Sequence, residues 1–139
     1  MKIIIICTGN TCRSQMAEAF LKSFDKNLEV YSAGTNAQSK INPYTVEVMN
    51  EEGFDLSHNQ PEPIEKYLDK EFDYAITVCD GAKEKCPVFT GQVKSRLHIN
   101  FEDPAEVRGS RDCVLSEYRR IRDEIKTEFR KIYNEHLNE

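Results

Sequence analysis

The stretch "KIIIIC" at Lys2 to Cys7 constrains this chain more than any other. Four consecutive isoleucines cannot alternate between core and water, so a strand made of them must be covered on both faces, as strands of parallel sheets are. From Arg13 to Phe24 the apolar residues fall at Met16, Phe20 and Phe24, with Ala17 and Leu21 beside them, which is the spacing of an amphipathic helix. The residues between are therefore a strand-to-helix turn. Leu28–Ser32 reads as a second short strand running into "SAG", Asp73–Cys79 as a third, and "HINFEDP" at His98–Pro104 carries a shorter fourth. Pro43–Glu52 suits a helix, with Asn42 as N-cap, Pro43 at its first position and Gly53 just past its end. Val114–Leu137 is a long amphipathic helix with Val114, Tyr118, Ile121, Ile125, Phe129 and Ile132 along one stripe. This alternation predicts an α/β protein, a three-layer sandwich in which a four-stranded parallel sheet is flanked by helices on both faces. With 139 residues and no internal repeat, linker or low-complexity tract, a single domain over 1–139 is expected.

Composition narrows the function classes. A net charge of −5 argues against a nucleic-acid binder, which needs a basic surface to meet phosphates. No apolar run approaches the ~20 residues that a membrane span requires. The cysteine count, 5, is odd, and no basic start, apolar middle and small-residue cleavage pattern marks a secretory signal. A cytoplasmic protein, working as a monomer, is expected, and in that compartment cysteines are more often catalytic or metal-binding than structural bridges.

In open parallel sheets ligands bind outside the carboxyl ends of the strands, where Cys7, Cys79 and Asp103 all fall. In "CTGNTCR" the spacing is Cys-x5-Arg, and Gly9 and Asn10 can take left-handed backbone conformations that bend a loop around an anion. Thr8, Gly9, Asn10, Thr11, Cys12, Arg13 and Ser14 would then form an oxyanion cradle at the positive end of the following helix. Arg13 would give the anion two parallel hydrogen bonds, and Cys7, among so many positive partial charges, would be a thiolate nucleophile at neutral pH. Ser14 could hydrogen-bond the sulfur, and Asn10 could hold the loop in shape. The competing reading makes Cys7 a small apolar residue ending a buried strand. Cys12 reads as a filler inside the loop, and Cys113 as an incidental thiol.

Together "CTGNTCRSQMAEA", "VYSAG", Asn42–Pro43, "VCDGAKEKCP" and "FEDPA" resemble the low-molecular-weight tyrosine phosphatase family and, within it, the thioredoxin-coupled arsenate reductases. The resemblance implies Cys7 as nucleophile, Arg13 as anion clamp and Asp103 as general acid. It leaves two activities to weigh. The phosphatases usually follow their Asp-Pro with aromatic residues that stack on a phosphotyrosine ring, whereas this chain has Ala105, Glu106 and Val107. Reduction of arsenate needs two electrons, which a pair of thiols supplies by becoming a disulfide. The resemblance implies a relay in which Cys7 attacks arsenic, Cys79 attacks the Cys7 adduct and releases arsenite, and Cys86 takes over Cys79. The Cys79–Cys86 disulfide would pass to thioredoxin, and Gly81 with Lys83–Lys85 suits a mobile loop for that exchange. Arsenate reduction is the primary expectation, with a tyrosine phosphatase acting through a Cys7 phosphocysteine as the alternative. No tightly bound cofactor is implied beyond a potassium ion at Asn10, Glu18 and Ser32, with a further acidic ligand near Glu62. His58, His98 and His136 read as ordinary histidines.

Overall fold

The computed structural model describes residues 1–81 and 88–138. Strand β1 (Lys2–Cys7) leads through the quoted turn into helix α1 (Arg13–Phe24), followed by β2 (Glu29–Gly34) and α2 (Pro43–Asn50). A 3-10 turn at Ile64–Tyr67 precedes β3 (Glu71–Thr77) and β4 (Gln92–His98), and a second 3-10 turn at Pro104–Glu106 precedes the long helix α3 (Arg111–Ile132). A π-helical turn, Tyr133–Leu137, extends α3. The strands form one sheet in the order β2-β1-β3-β4, every pair parallel. As the isoleucine run requires, β1 is central and Ile3 to Ile6 are fully buried.

The pleat divides that run between two cores. Ile3, Ile5 and Cys7 face the larger one, built with Met16, Phe20 and Leu21 of α1, Val48 and Met49 of α2, and Leu115, Tyr118, Ile121, Ile125 and Phe129 of α3. Ile4 and Ile6 face the smaller one, closed by Ala33, Ile64, Tyr67, Phe72, Ala75 and Phe89. Among the described residues the α-helices thus share one face. The opposite layer is thin, a 3-10 turn and clustered aromatic rings, with Phe72 packed edge-on to Phe89 and Tyr31.

Most boundaries shift by two residues or fewer from those read in the sequence, and two differ by more. The fourth strand is Gln92–His98 and ends where His98–Pro104 was expected to begin it, because an edge strand needs few apolar side chains and β4 is largely exposed. Helix α3 begins at Arg111 and not Val114, since the Ser110 hydroxyl caps it by accepting the Cys113 N–H at 3.2 Å. The Asn42 cap is as expected: its side chain accepts the Tyr44 N–H at 2.8 Å, with Pro43 first in the helix. No helix among the described residues is long and apolar enough to cross a membrane.

Candidate active site

The turn after β1 forms a cup, and its hydrogen bonds explain why. Its carbonyls are tied from outside: Cys7 O accepts from Thr35 N (3.2 Å), Thr8 O from Asn36 N (2.9 Å), Gly9 O from Gln38 N (3.0 Å) and Thr11 O from Asn42 N (3.3 Å). The Asn10 carbonyl accepts from Gln15 Nε2 at 3.1 Å. In a planar trans peptide N–H points opposite to C=O, so turning the carbonyls outward turns the N–H groups of residues 8 to 12 inward. Asn10 N–H accordingly points at the Cys7 sulfur, 3.3 Å away. Helix α1 starts at the same place with no side-chain cap, so its positive end adds to the cup.

Asn10 alone takes the left-handed conformation expected of Gly9 and Asn10 (φ 56°); Gly9 does not. Its side chain holds the cup shut, since Oδ1 accepts from Glu62 N at 2.9 Å and Nδ2 donates to Ser14 Oγ at 2.7 Å and Ser32 Oγ at 3.0 Å. Ser14 Oγ lies 3.0 Å from Cys7 Sγ. Arg13 is 5% exposed; Nη1 donates to Phe101 O at 3.0 Å, and Nη2 stands 3.8 Å from the Asp103 carboxylate. Asp103 caps the second 3-10 turn through Ala105 N–H at 3.0 Å and faces Arg13 across the cup.

An open cleft of about 660 Å³ is lined by residues 7 to 13, by Gln38 to Pro43, and by Asp103, Ala105 and Glu106. None of these lining side chains is aromatic. Cys12 is buried beneath the loop, where desolvation pushes its thiol up to about 12, so at neutral pH it is a packed S–H group. Cys79 follows β3, the strand paired with β1, and Val78 N–H still donates to Ile6 O at 3.1 Å. It is fully buried and disulfide-bonded. Cys86, with Lys83–Lys85, lies outside the described residues.

The arrangement does not suit the expected potassium ion. Glu62 N–H is an obligatory donor, so Asn10 presents its oxygen there and its amide N–H groups to Ser32. Ser32 Oγ donates to Glu18 Oε1 at 2.5 Å, and Lys22 Nζ occupies Glu18 Oε2 at 2.6 Å. The polar atoms around Glu18 thus satisfy one another.

The sequence reading missed the scaffold behind the cup: Gln60, Glu62 and the 35–42 segment act mainly through backbone groups far along the chain, and Gln15 joins them through its side-chain amide. A local signal did exist at Gly34 in "SAG". A Cβ there would meet Thr8 O at 2.4 Å, so only glycine lets β2 pass so close.

A cysteine sulfur in a cup of inward N–H groups, with an arginine and a carboxylate across from it, is an arrangement that can hold a tetrahedral oxyanion against sulfur. Residues 2–139 match the low molecular weight phosphotyrosine protein phosphatase family, and the chain belongs to it. An arsenate reductase of Shouchella clausii is 42% identical over 130 residues, 93% of this chain and 92% of that protein. Among solved structures, an arsenate reductase in a phosphate-binding state superposes with TM-score 0.78 at 27% identity, covering 96% of each chain. A thioredoxin-dependent arsenate reductase of Corynebacterium glutamicum superposes with TM-score 0.64 at 27% identity, covering 96% of this chain and 60% of that one.

Proposed function

We propose that this chain reduces arsenate to arsenite with electrons from its own cysteines, and that thioredoxin restores them. The observation that carries the reading is the placement of a second redox-capable sulfur, Cys79, after the strand paired with the one that delivers Cys7. Phosphate-ester hydrolysis has no use for it.

Arsenate seats in the cup on the N–H groups of residues 8 to 12 and on Arg13. Cys7 sulfur attacks arsenic while Asp103 gives a proton to the departing oxygen, which leaves as water. Cys79 thiolate then attacks Cys7 sulfur; the S–As bond breaks, its electron pair stays on arsenic, and arsenite departs. Cys86 attacks Cys79, freeing Cys7 as a thiolate and leaving a disulfide. A thioredoxin dithiol reduces that disulfide, supplying the two electrons that arsenic consumed. The similarity to a thioredoxin-dependent reductase supports this choice of reductant. A cycle through free thiols belongs in a reducing compartment, so we place the protein in the cytoplasm.

The rim supports a small inorganic substrate. Ala105 and Glu106 stand where an aryl phosphate would want an aromatic wall. The cup, Arg13 and Asp103 would nevertheless suffice for slow hydrolysis of aryl phosphates, which need only Cys7 and water. A coupled assay with thioredoxin, thioredoxin reductase and NADPH tests the reading: NADPH oxidation should depend on arsenate and vanish in Cys79→Ser, while aryl phosphate hydrolysis persists. Arsenate turnover by Cys79→Ser at the parent rate would refute it.

A further inference from the structure

Strand β3 ends at Thr77, two residues before Cys79. Val78 N–H donates to Ile6 O and Ile99 N–H to Thr77 O, and the turn beyond is held at Gly81 by a side chain: Gly81 N–H donates to Asn100 Oδ1 at 3.1 Å. The same oxygen lies 2.7 Å from His98 Nε2. Because a backbone N–H can only donate, Asn100 must present its oxygen here, and His98 must donate from Nε2. That fixes the neutral ring's tautomer and makes Nδ1 the acceptor of the Thr77 hydroxyl, 2.6 Å away. The chain of bonds runs Thr77, His98, Asn100, Gly81. It leaves the sheet two residues before Cys79 and returns two residues after it.

We propose that Asn100, oriented by His98, is a positioning residue that latches the Cys79 turn in its disulfide-bonded state. The inference rests on reading Cys79 as a redox thiol. Cys79 is fully buried while bonded, and on this proposal its exchange onto Cys7 moves the turn that carries Gly81. Gly81 has no side chain, so it can itself be held only through its N–H and carbonyl, and its N–H is held by Asn100. A hydrogen bond from the end of β4 to that N–H opposes the movement and favours the oxidised arrangement. Thr77, His98, Asn100 and Gly81 are all partly or fully exposed, so the latch contributes little to global stability and biases a local equilibrium instead.

The test is the thiol–disulfide equilibrium with dithiothreitol, read by counting free thiols on the folded, full-length chain. In that exchange the protein disulfide gains two electrons and becomes two thiols, and dithiothreitol becomes its cyclic disulfide. Loss of one such hydrogen bond in Asn100→Ala is expected to shift the equilibrium toward the dithiol by about threefold to tenfold. Asn100→Asp keeps an oxygen for both Gly81 N–H and His98 Nε2, and is expected to stay within about twofold of the parent. Unfolding in urea serves as the control for a merely structural role and should change little in either variant. An unshifted equilibrium in Asn100→Ala, or an equal shift in both variants, would overturn the latch. Arsenate does not enter the measurement, so failure of the arsenate assay with this shift intact would sink the reductase reading and leave the latch standing.

Discussion

Gly34 lies so close under Thr8 that a methyl group on it would stand 2.4 Å from the Thr8 carbonyl oxygen. The end of β2 and the cup are therefore built as one piece, and the cup's carbonyls turn outward because the strand and the 35–42 segment receive them.

Gly34→Ala should push the cup open. Forcing a methyl group against backbone costs about 1–3 kcal/mol where the neighbour cannot retreat. We expect oxyanion affinity to fall about tenfold or more and the thermal midpoint to drop by several degrees. Phosphate binding followed by calorimetry, with a melt on the same sample, checks both; unchanged binding would mean that the cup does not depend on β2.

The cysteines should divide by environment. At pH 8 iodoacetamide should label exposed Cys113, while Cys12, with its thiol pushed up to about 12 by burial, should stay unlabelled until the chain is unfolded. Cys7 is as buried as Cys12, but its sulfur faces the inward N–H groups at the floor of the cleft, so it should be labelled unless phosphate or arsenate is present. Peptide mass mapping reads all three. Labelling of Cys12 in the folded protein, or of Cys7 regardless of oxyanion, would contradict the geometry.

Acid should loosen the α2–α3 seam. The Glu51 carboxyl is lowered from 4.5 to about 2, chiefly by hydrogen bonds from Arg119 and then from Arg122, against some desolvation. A carboxyl held low in the folded state stabilises it fully above its unfolded value, and that stability is lost as pH falls from about 4.5 toward about 2. Because Glu51 is 37% exposed, screening leaves about 1 kcal/mol of the effect. Urea melts between pH 6 and 3 should therefore steepen their loss of stability below about pH 4.5, and Glu51→Gln should flatten that limb. An identical slope in the variant would remove the seam from the account.

What the sequence disclosed follows from how local each signal is. The isoleucine run, the Asn42–Pro43 cap and the α3 stripe are written in neighbouring residues, and each element formed where they stand. Cys7 and Arg13 were legible from a strand end and their spacing, and Asp103 from the family resemblance; they meet around one cleft. By contrast β4 has mainly Val93 and Leu97 to offer the core, too little pattern to separate it from loop. The Asn10 bond to Glu62 N–H spans 52 residues, and its donor is backbone, identical at every position but proline. It also turns the Asn10 oxygen away from Ser32, which is why the expected ion does not suit the site. His98 looked ordinary because Thr77 comes to it only when β3 and β4 pair, although its other partner, Asn100, is only two residues away.

The central claim is that arsenic takes its electrons from this chain's own sulfurs. Mixing the fully reduced protein with excess arsenate and no other reductant, then quantifying arsenite and free thiols after one turnover, tests it most directly. The account predicts about one arsenite per chain, the loss of two thiols, and neither change in Cys79→Ser beyond the parent's background. Absence of arsenite from the reduced parent, or equal yields from Cys79→Ser, would contradict it.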